Sequence, residues 1–222
     1  MVETTFRVVK RAFGGQEITV GVVNQTVQLN LFKDQKFSDG ATPKAKLTNN
    51  GKLDLVLRYK TSESYLVEEE MRVGWFRIGY DFEVHFLRFR TDRQKLLNEL
   101  EGEDIGTAVS GQMVGGGPLI FVRLGPLYPG SRFFWKAGGG AGAGLIRFEG
   151  NALFRNNASS QTSLEPVTHR ASRLNLFVYG LWTLEWENWR LIVVENNLRG
   201  DTDFGRFLFQ ESSIILGYTL QF

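Results

Sequence analysis

Residues 212–222, SSIILGYTLQF, end the sequence and decide its fold class. Apolar side chains occupy every second position of this stretch: Ile214, Leu216, Tyr218, Leu220 and Phe222. Small or polar residues take four of the five alternate positions from 213 to 221: Ser213, Gly217, Thr219 and Gln221. A period of two in residues of high strand propensity predicts a β-strand with one apolar face. This apolar face extends to the last residue. The architecture therefore depends on whether the face points outward or into a protein core.

The same alternation recurs along the chain, in residues 26–31, in KLDLVLRYK (residues 52–60) and in FRIGYDFEVHF (residues 76–86). Only DRQKLLNELEGE, residues 92–103, has leucines at helical spacing. The sequence therefore predicts a predominantly all-β protein.

Eight strands are predicted, over residues 16–32, 51–61, 70–90, 105–126, 131–149, 173–187, 189–196 and 206–222. The connections TSES (61–64), LYPGS (127–131) and EN (187–188) are short. Those over residues 33–50, 91–104, 150–172 and 197–206 are longer and polar. If the short turns share one end, the chain is an up-and-down meander. Short turns at one end and long loops at the other are typical of outer-membrane barrels.

Tryptophan positions provide a second indication. Aromatic residues concentrate near the predicted short-turn ends: Trp75, Trp135, Trp186, Trp189 and Phe222. Such a girdle is expected at a membrane interface, because these rings combine an apolar body with a polar edge. A soluble sandwich would instead concentrate its tryptophans midway along the strands.

The terminal strand, with its alternating apolar residues and final Phe222, resembles the recognition signature of small bacterial outer-membrane β-barrels. The resemblance is to this class and to no particular family within it. It implies an eight-stranded antiparallel transmembrane β-barrel in the bacterial outer membrane, expected to be a monomer surrounded by lipids. It also implies that the barrel-assembly machinery recognises the C-terminal strand.

Composition excludes several other classes. No apolar run approaches the roughly 20 residues of a membrane helix. A net charge of +2 is too small to indicate a nucleic-acid-binding protein. Cysteine is absent, which excludes disulfide and thiolate chemistry. The start, MVETTF, lacks the features of a signal peptide, so either the protein is not exported or an export leader is expected upstream of Val2.

A soluble lipocalin-like ligand-binding barrel is the main alternative. Such barrels also have eight antiparallel strands, but their apolar residues point inward and their polar residues outward. Alternation alone does not distinguish the two orientations. The terminal phenylalanine and the tryptophan positions favour the membrane barrel.

If lipid lies outside, the alternate positions that carry polar residues (the polar parity of each strand) face the lumen. The charged residues then expected inside are Lys52, Asp54, Arg58, Arg77, Asp81, Glu83, His85 and Glu185. Eight strands leave just enough room for side chains, and buried charges of opposite sign tend to pair. A mostly filled lumen predicts a structural or anchoring role. A narrow channel for small solutes is the alternative, and it requires a wet path through the network.

Two glycine-rich stretches, residues 111–118 and 137–144, are expected to face each other across one ladder. The positions concerned are Gly115, Gly116, Gly117, Gly138, Gly140 and Gly142. One explanation is space for bulky inward neighbours such as Phe177 and Tyr179. The other is a pocket or lateral portal for an apolar ligand, because glycine in a strand often marks a close approach.

The two histidines limit the possible enzymology. His85 alternates with carboxylates, and His169 lies near Ser172, which leaves a lipid-modifying enzyme as an alternative. No catalytic residue is assigned, no metal-ligand spacing is present, and no cofactor is expected.

Basic residues are expected at the long-loop end, where they could contact lipopolysaccharide phosphates: Arg88, Arg90, Arg155 and Arg173. Arginine suits phosphate because its guanidinium offers a bidentate fork. Residues 1–15 are expected to form a periplasmic segment or amphipathic helix before a single barrel domain of residues 16–222. If they instead begin another strand, the barrel would have ten strands, since bacterial barrels are even-numbered.

Overall fold

A computed structural model describes residues 12–13, 15–33, 44–49, 51–95, 108–127, 132–155, 162–170, 173–203 and 205–222. The described residues form thirteen strands. The first seven are β1 (Ala12–Phe13), β2 (Glu17–Lys33), β3 (Lys44–Thr48), β4 (Lys52–Lys60), β5 (Glu63–Glu70), β6 (Trp75–Arg90) and β7 (Arg93–Lys95). The remaining six are β8 (Val109–Gly125), β9 (Phe133–Arg155), β10 (Thr162–His169), β11 (Asn175–Trp186), β12 (Trp189–Thr202) and β13 (Gly205–Gln221).

Eight of these strands close into a ring, in the order β2, β4, β6, β8, β9, β11, β12 and β13. Every pairing is antiparallel, and β13 pairs with β2 to close the ring. The prediction of an eight-stranded antiparallel barrel is confirmed. Because the seam is formed by β13 and β2 themselves, the ring has no place for the additional strands of the ten-stranded alternative.

The predicted turn at residues 61–64 is wrong. β5 continues the direction of β4, and both strands pair with β6. The chain reverses at residues 71–74 instead, where the Met71 amide donates a hydrogen bond to the Gly74 carbonyl. The two-residue turn Glu187–Asn188 is present as expected, with Glu187 at φ 52°. These turns and the C-terminus lie at one end of the ring, which we call the turn end.

The opposite, loop end differs more from expectation. Residues 197–206 were predicted as a long loop, but β12 and β13 continue through them as a tight hairpin from Thr202 to Gly205. Residues 150–172 contain the end of β9 and the strand β10, which pair with each other. The predicted helix over residues 92–103 is wrong where it is described, because β7 pairs there with β3.

The extra strands at the loop end are connected across the top of the ring. The Gln94 side chain on β7 exchanges hydrogen bonds with the backbone of Leu153 on β9, donating to its carbonyl and accepting from its amide at 2.8 Å. Lys33 also forms an ion pair with Glu165, joining β2 to β10. Two interactions therefore connect elements that share no ladder.

The predicted N-terminal segment is only partly described. Residues 1–11 and 14 lie outside the described residues, so the helix prediction for residues 1–15 stays a prediction. Ala12 and Phe13 form the short strand β1, which pairs with β5. Among the described residues, no helix is long and apolar enough to cross a membrane.

An apolar belt surrounds the half of the ring nearest the turn end. Its outward-facing, exposed members include Val20, Val22, Leu55, Leu57, Tyr80, Phe82, Val114, Ile120, Trp182, Leu191, Ile214, Leu216 and Leu220. Leu55 keeps 68% of its surface exposed and Leu220 keeps 48%. Burying these side chains inside the ring was the arrangement expected of a soluble barrel, and it does not occur in this half.

The interior changes character along the barrel axis. We call the ring from the turn end to the level of His85, Asn196 and Glu211 the lower half, and the rest the upper half. Buried residues of the lower half are largely polar: Thr19, Arg58, Asp81, Glu83, Lys136, Thr183, Glu185, Arg190 and Thr219. Those of the upper half are largely apolar: Val27, Leu29, Leu31, Leu47, Phe89, Met113, Ile146, Phe148, Leu198, Phe207 and Phe209.

This change corrects the expectation that the polar parity faces the lumen along the whole chain. On β2, Val20 and Val22 point outward, whereas Val27 and Leu29 point inward. The ladder between β13 and β2 stays in register throughout. The apolar residues therefore change face by occupying the other parity, without a bulge in the β13–β2 ladder.

Candidate functional site

The lower lumen is organised around Lys136 on β9, which is 2% exposed. Its ammonium nitrogen lies 2.5 Å from an oxygen of Asp81, 3.3 Å from Glu63 and 3.6 Å from Glu83. It also lies 4.1 Å from the centre of the Phe121 ring. One cation thus serves three buried carboxylates. A charge in this position is tolerated only because it is closely paired.

Arg123 on β8 extends the network toward the turn end. Its guanidinium donates to Glu63 at 2.7 Å and to Glu185 at 2.5 Å. Lys60 lies 2.9 Å from Glu63 and 3.1 Å from Glu17. The resulting chain of alternating charges crosses the lumen between opposite strands. It fills the space with side chains that are held by one another.

A second chain of polar groups marks the boundary between the two halves. Arg58 forms an ion pair with Glu83, whose oxygen lies 3.2 Å from Nε2 of His85. Nδ1 of His85 lies 3.2 Å from Oδ1 of Asn196, whose amide donates to Glu211 at 2.5 Å. The His85 ring packs edge-on against Tyr179, with centroids 4.7 Å apart. His85 is therefore held from both ring nitrogens deep inside the barrel.

An apolar plug closes the upper lumen. The Phe89 and Phe209 rings lie 4.8 Å apart, and Phe148 packs edge-on against Phe207 at 5.8 Å. His169 lies 5.3 Å from both Phe148 and Phe207, and burial lowers its pKa below the ordinary value. Buried leucine, isoleucine and methionine side chains fill the remaining space. A tightly packed apolar core of this kind excludes water.

Open space in the lumen lies near the turn end. A vestibule of about 200 Å³ is lined by Glu17, Lys60, Glu63, Arg77, Arg123 and Arg190, among others. A deeper space of about 30 Å³ shares Glu17, Lys60 and Arg190 with it and reaches Glu83 and Thr183. The smaller space has room for about one water molecule. The described lumen is thus open to solvent at the turn end and filled with apolar side chains at the loop end.

The structure brings five of the eight predicted lumen residues into this network: Arg58, Asp81, Glu83, His85 and Glu185. Arg77 lies nearer the rim and donates to Glu68 at 2.6 Å. Asp54 is only half-buried and accepts a hydrogen bond from the Leu55 amide at 2.7 Å. The Lys52 side chain lies outside what the structure describes.

The network residues that sequence reasoning missed are Glu17, Glu63, Arg123, Lys136 and Arg190. Glu63 was assigned to a turn, and Lys136 stands next to a glycine-rich stretch in which alternation is hard to recognise. The sequence signal that could have identified these residues is the alternation of inward and outward positions along each strand. Lys136 shares its parity with the inward Gly138 and Gly140, and it pairs with Arg123 across the ladder.

The predicted girdle residues all lie at the turn end, but not all face outward. Trp186 and Trp189 are about half exposed, and Phe222 is 74% exposed. Trp135 shares the outward parity of the belt and is half-buried. Trp75 differs from the prediction: it shares the inward parity of Arg77, whose guanidinium carbon lies 5.5 Å from the tryptophan ring centre.

The predicted glycine patch faces two aromatic rings. A Cβ at Gly115 would lie 2.8 Å from the Phe177 ring, and one at Gly140 would lie 2.6 Å from Cζ of Tyr179. The Tyr179 hydroxyl donates to the Gly117 carbonyl at 2.8 Å. Beside them, Gly138 and Gly142 share the inward parity, and Gly116 has the outward one. This is the arrangement expected if the glycines make room for Phe177 and Tyr179. The portal stays a prediction.

Of the two histidines considered for a lipid-modifying enzyme, His85 lies 3.2 Å from a carboxylate oxygen of Glu83 deep in the lumen. His169 has no hydrogen-bond partner for its buried Nε2 among the described residues, and Ser172 lies outside them. The described residues also contain no group of three metal-ligating side chains. Of the arginines predicted to contact phosphate, Arg88 and Arg90 are exposed on the same face of β6, whereas Arg173 precedes β11. The Arg155 side chain is not described.

No protein-family model and no curated protein matches this sequence. Among solved structures, the chain is similar to Ail, the attachment invasion locus protein of Yersinia pestis, with 13% identity and a TM-score of 0.37 over 94% of this chain and 100% of that one. It is similar to Neisserial surface protein A, with 10% identity and a TM-score of 0.38 over 94% and 97%. It is also similar to the outer membrane protein AlkL, with 13% identity and a TM-score of 0.32 over 100% and 98%. The barrel fold itself is established by the strand pairing.

Proposed function

We propose that this chain is an integral protein of the bacterial outer membrane with a closed lumen, serving as a structural or anchoring element. The observation that carries the proposal is the lower half, where exposed apolar side chains surround a buried network of ion pairs. In water, both features would be costly. In lipid, an outward apolar surface is favourable, and a closed ring satisfies its backbone groups internally.

The dimensions support insertion. Outward apolar residues on β13 run from Ile214 to Phe222. At about 3.3 Å per residue and a tilt of about 40°, this stretch rises about 20 Å along the membrane normal. The apolar band of outer-membrane barrels is about 25 Å tall. The exposed aromatic rings of Trp186, Trp189 and Phe222 are then at the height of one interface.

Insertion is tested by quenching of tryptophan fluorescence with brominated lipids. Trp182 points outward within the belt and is 37% exposed. A variant that keeps only Trp182 should be strongly quenched in vesicles whose acyl chains are brominated near the bilayer centre. A variant that keeps only Trp75, on the inward parity at the rim, is the control and should be quenched weakly. Equal weak quenching of both would contradict insertion.

The closed lumen supports a structural role over a channel. The ion pairs of Lys136 and Arg123 cross the lower lumen, and the packed rings of Phe89 and Phe209 lie above them. An ion would have to displace both layers. In planar bilayers the wild-type protein should therefore show no stepwise conductance. Discrete conductance steps in the wild type would overturn the closed lumen.

A further inference from the structure

A row of cationic residues crosses the outer wall where β6, β8 and β9 leave the apolar belt. Arg88 pairs across the ladder with Gln112, which pairs with Arg147. All three residues are exposed and share the outward parity. The outward row immediately below consists of apolar residues: Phe86, Val114 and Leu145. The cationic row is thus the first polar row beyond the belt, about 7 Å further along the strands.

The two arginines of this row are free, in contrast to those of the lumen. In the described part of the chain, the side chains of Arg88 and Arg147 form no hydrogen bond or ion pair, whereas those of Arg58 and Arg123 are both paired with carboxylates. Surface arginines next to a carboxylate commonly form pairs. Two unpaired guanidinium groups on one register row are therefore available to an anion from outside.

The outer wall of the barrel has a concavity at the cationic row. A concavity of about 470 Å³ is lined by Arg88, Phe89, Ser110, Gly111, Gln112, Arg147, Phe148 and Glu149. One row higher, Arg90 and Glu149 flank Ser110. Three arginines and one carboxylate leave an excess of two positive charges.

The opposite wall differs. Beyond the belt on β2, β13 and β12, the first outward register row consists of Thr26, Ser212 and Glu195, and the next consists of Gln28, Gln210 and Asn197, so neither row carries a cation. Gln28 donates to Gln210 at 3.1 Å, and Gln210 donates to Asn197 at 3.1 Å. These amides are uncharged and bonded to one another. The cationic row is consequently a feature of one side of the barrel.

We propose that Arg88, Gln112 and Arg147 bind a phosphate group of an outer-leaflet glycolipid of the lipopolysaccharide type. This rests on the proposed function, because only an inserted barrel brings the row to the height of the lipid head groups. The two arginines are two strand spacings apart, about 10 Å between their Cα atoms, and their long side chains can converge on one phosphate above Gln112. Guanidinium groups bind phosphate through two parallel hydrogen bonds.

The surroundings favour a lipid over a free anion. The row lies directly above Phe86, Val114 and Leu145, so a ligand with a phosphate and acyl chains could occupy both levels at once. Among the predicted phosphate contacts, Arg88 belongs to the site and Arg90 lies one row above it. Arg173 does not line the concavity, and Gln112 and Arg147 are additional members.

The test uses the refolded full-length protein in micelles of a phosphate-free amine-oxide detergent. Binding of lipopolysaccharide is measured for the wild type, for Arg88→Ala/Arg147→Ala and for Arg199→Ala/Arg206→Ala. The last variant removes the same charge from exposed positions on β12 and β13. We expect the Kd to rise at least tenfold for Arg88→Ala/Arg147→Ala and to stay within twofold for Arg199→Ala/Arg206→Ala. The variant Arg88→Lys/Arg147→Lys keeps the charge and should weaken binding at least threefold.

Two further probes separate the sources of phosphate. Lipopolysaccharide from which the lipid A phosphates have been removed should bind the wild type at least tenfold more weakly, and inorganic phosphate alone should bind only at millimolar concentrations. Equal affinities of both alanine variants for lipopolysaccharide would overturn the site. Submicromolar binding of inorganic phosphate, lost in Arg88→Ala/Arg147→Ala, would overturn its assignment to a lipid. Quenching of Trp182 by brominated lipids is independent of these results, so failure of the site and failure of insertion are distinguishable.

Discussion

The lower and upper halves of this barrel use the same strands in opposite ways. In the lower half, Arg58 and Lys136 point inward while Leu55 and Leu216 point outward. In the upper half, Phe209 points inward while Arg88 points outward. If the barrel inserts as proposed, the lower half faces lipid and the upper half faces water. The comparison shows that one β-strand can have apolar residues outside in one half and inside in the other, because the apolar residues change from one set of alternate positions to the other.

The two halves also differ in how they are stabilised. The lower interior consists of ion pairs, so removing one partner leaves the other charge buried and unpaired. The upper interior consists of apolar side chains, where a substitution costs burial and packing. The following predictions use this difference, beginning with the largest expected effect.

Replacing Lys136 by methionine should give the largest loss. Asp81, Glu63 and Glu83 would then lose their shared cation, and the free energy of unfolding should fall by about 3–5 kcal/mol. The measurement is urea unfolding in lipid vesicles, followed by tryptophan fluorescence. The exposed pair of Arg132 with Glu187, 3.3 Å apart, provides the control, and Arg132→Ala should cost less than about 1 kcal/mol. Similar losses for both variants would contradict a charge-dependent lower interior.

Replacing Phe209 by alanine tests the apolar plug. Phe209 is fully buried against Phe89, so the variant should lose about 3–5 kcal/mol of stability through lost burial and the cavity left behind. This loss should be independent of salt, unlike any change at exposed charges. Leu174→Ala, at a side chain that is 71% exposed, is the control and should change stability by no more than about 0.5 kcal/mol.

Two arginine substitutions on β13 locate the boundary between the solvents. Leu216 and Ser212 both point outward, but only Leu216 lies in the apolar belt. Leu216→Arg should destabilise the barrel in vesicles by about 2–4 kcal/mol, and Ser212→Arg by no more than about 1 kcal/mol, because the cost of a charge facing lipid depends on depth. Equal costs would mean that both positions meet the same solvent, and the division into halves would fail.

The smallest expected effect concerns the pair of Lys33 and Glu165 above the barrel. A hydrogen bond from Lys33 holds the pKa of Glu165 below its ordinary value. A carboxyl with a depressed pKa contributes stability above its unfolded pKa and loses it as the pH falls through its folded pKa. Because Glu165 is about one third exposed, the contribution should be under about 1 kcal/mol. The difference in unfolding free energy between wild type and Glu165→Gln, measured at pH 7 and pH 3, should shrink at pH 3.

Much of the lower half could be predicted from the sequence. Alternation over residues 76–86 and 214–222 identifies the strands and their two faces, and the terminal aromatic residue indicates which face meets lipid. The charge network follows in outline, because inward charges in a narrow barrel must pair. Which partners they choose could not be predicted, since Lys136 meets residues from β5 and β6 that only the closed ring brings close.

The upper half could not be predicted from the period alone, because a period of two is the same in lipid and in water. The signal that distinguishes them is a change in parity. On β6 the apolar residues occupy even positions up to Phe86 and then continue at Leu87 and Phe89. On β13 they move from Phe207 and Phe209 to the even positions from Ile214 onward.

The seam between β13 and β2 joins the first and last strands of the ring, from Gly205 opposite Lys33 to Gln221 opposite Glu17. The Phe222 amide also donates to the Gln16 carbonyl at 3.0 Å. A chain without β13 therefore leaves one edge of β12 and one edge of β2 unpaired, and these two strands are far apart in sequence. Exposed strand edges of this kind can pair with strands of other chains. The barrel is protected from such self-association only when β13 is paired with both neighbouring strands.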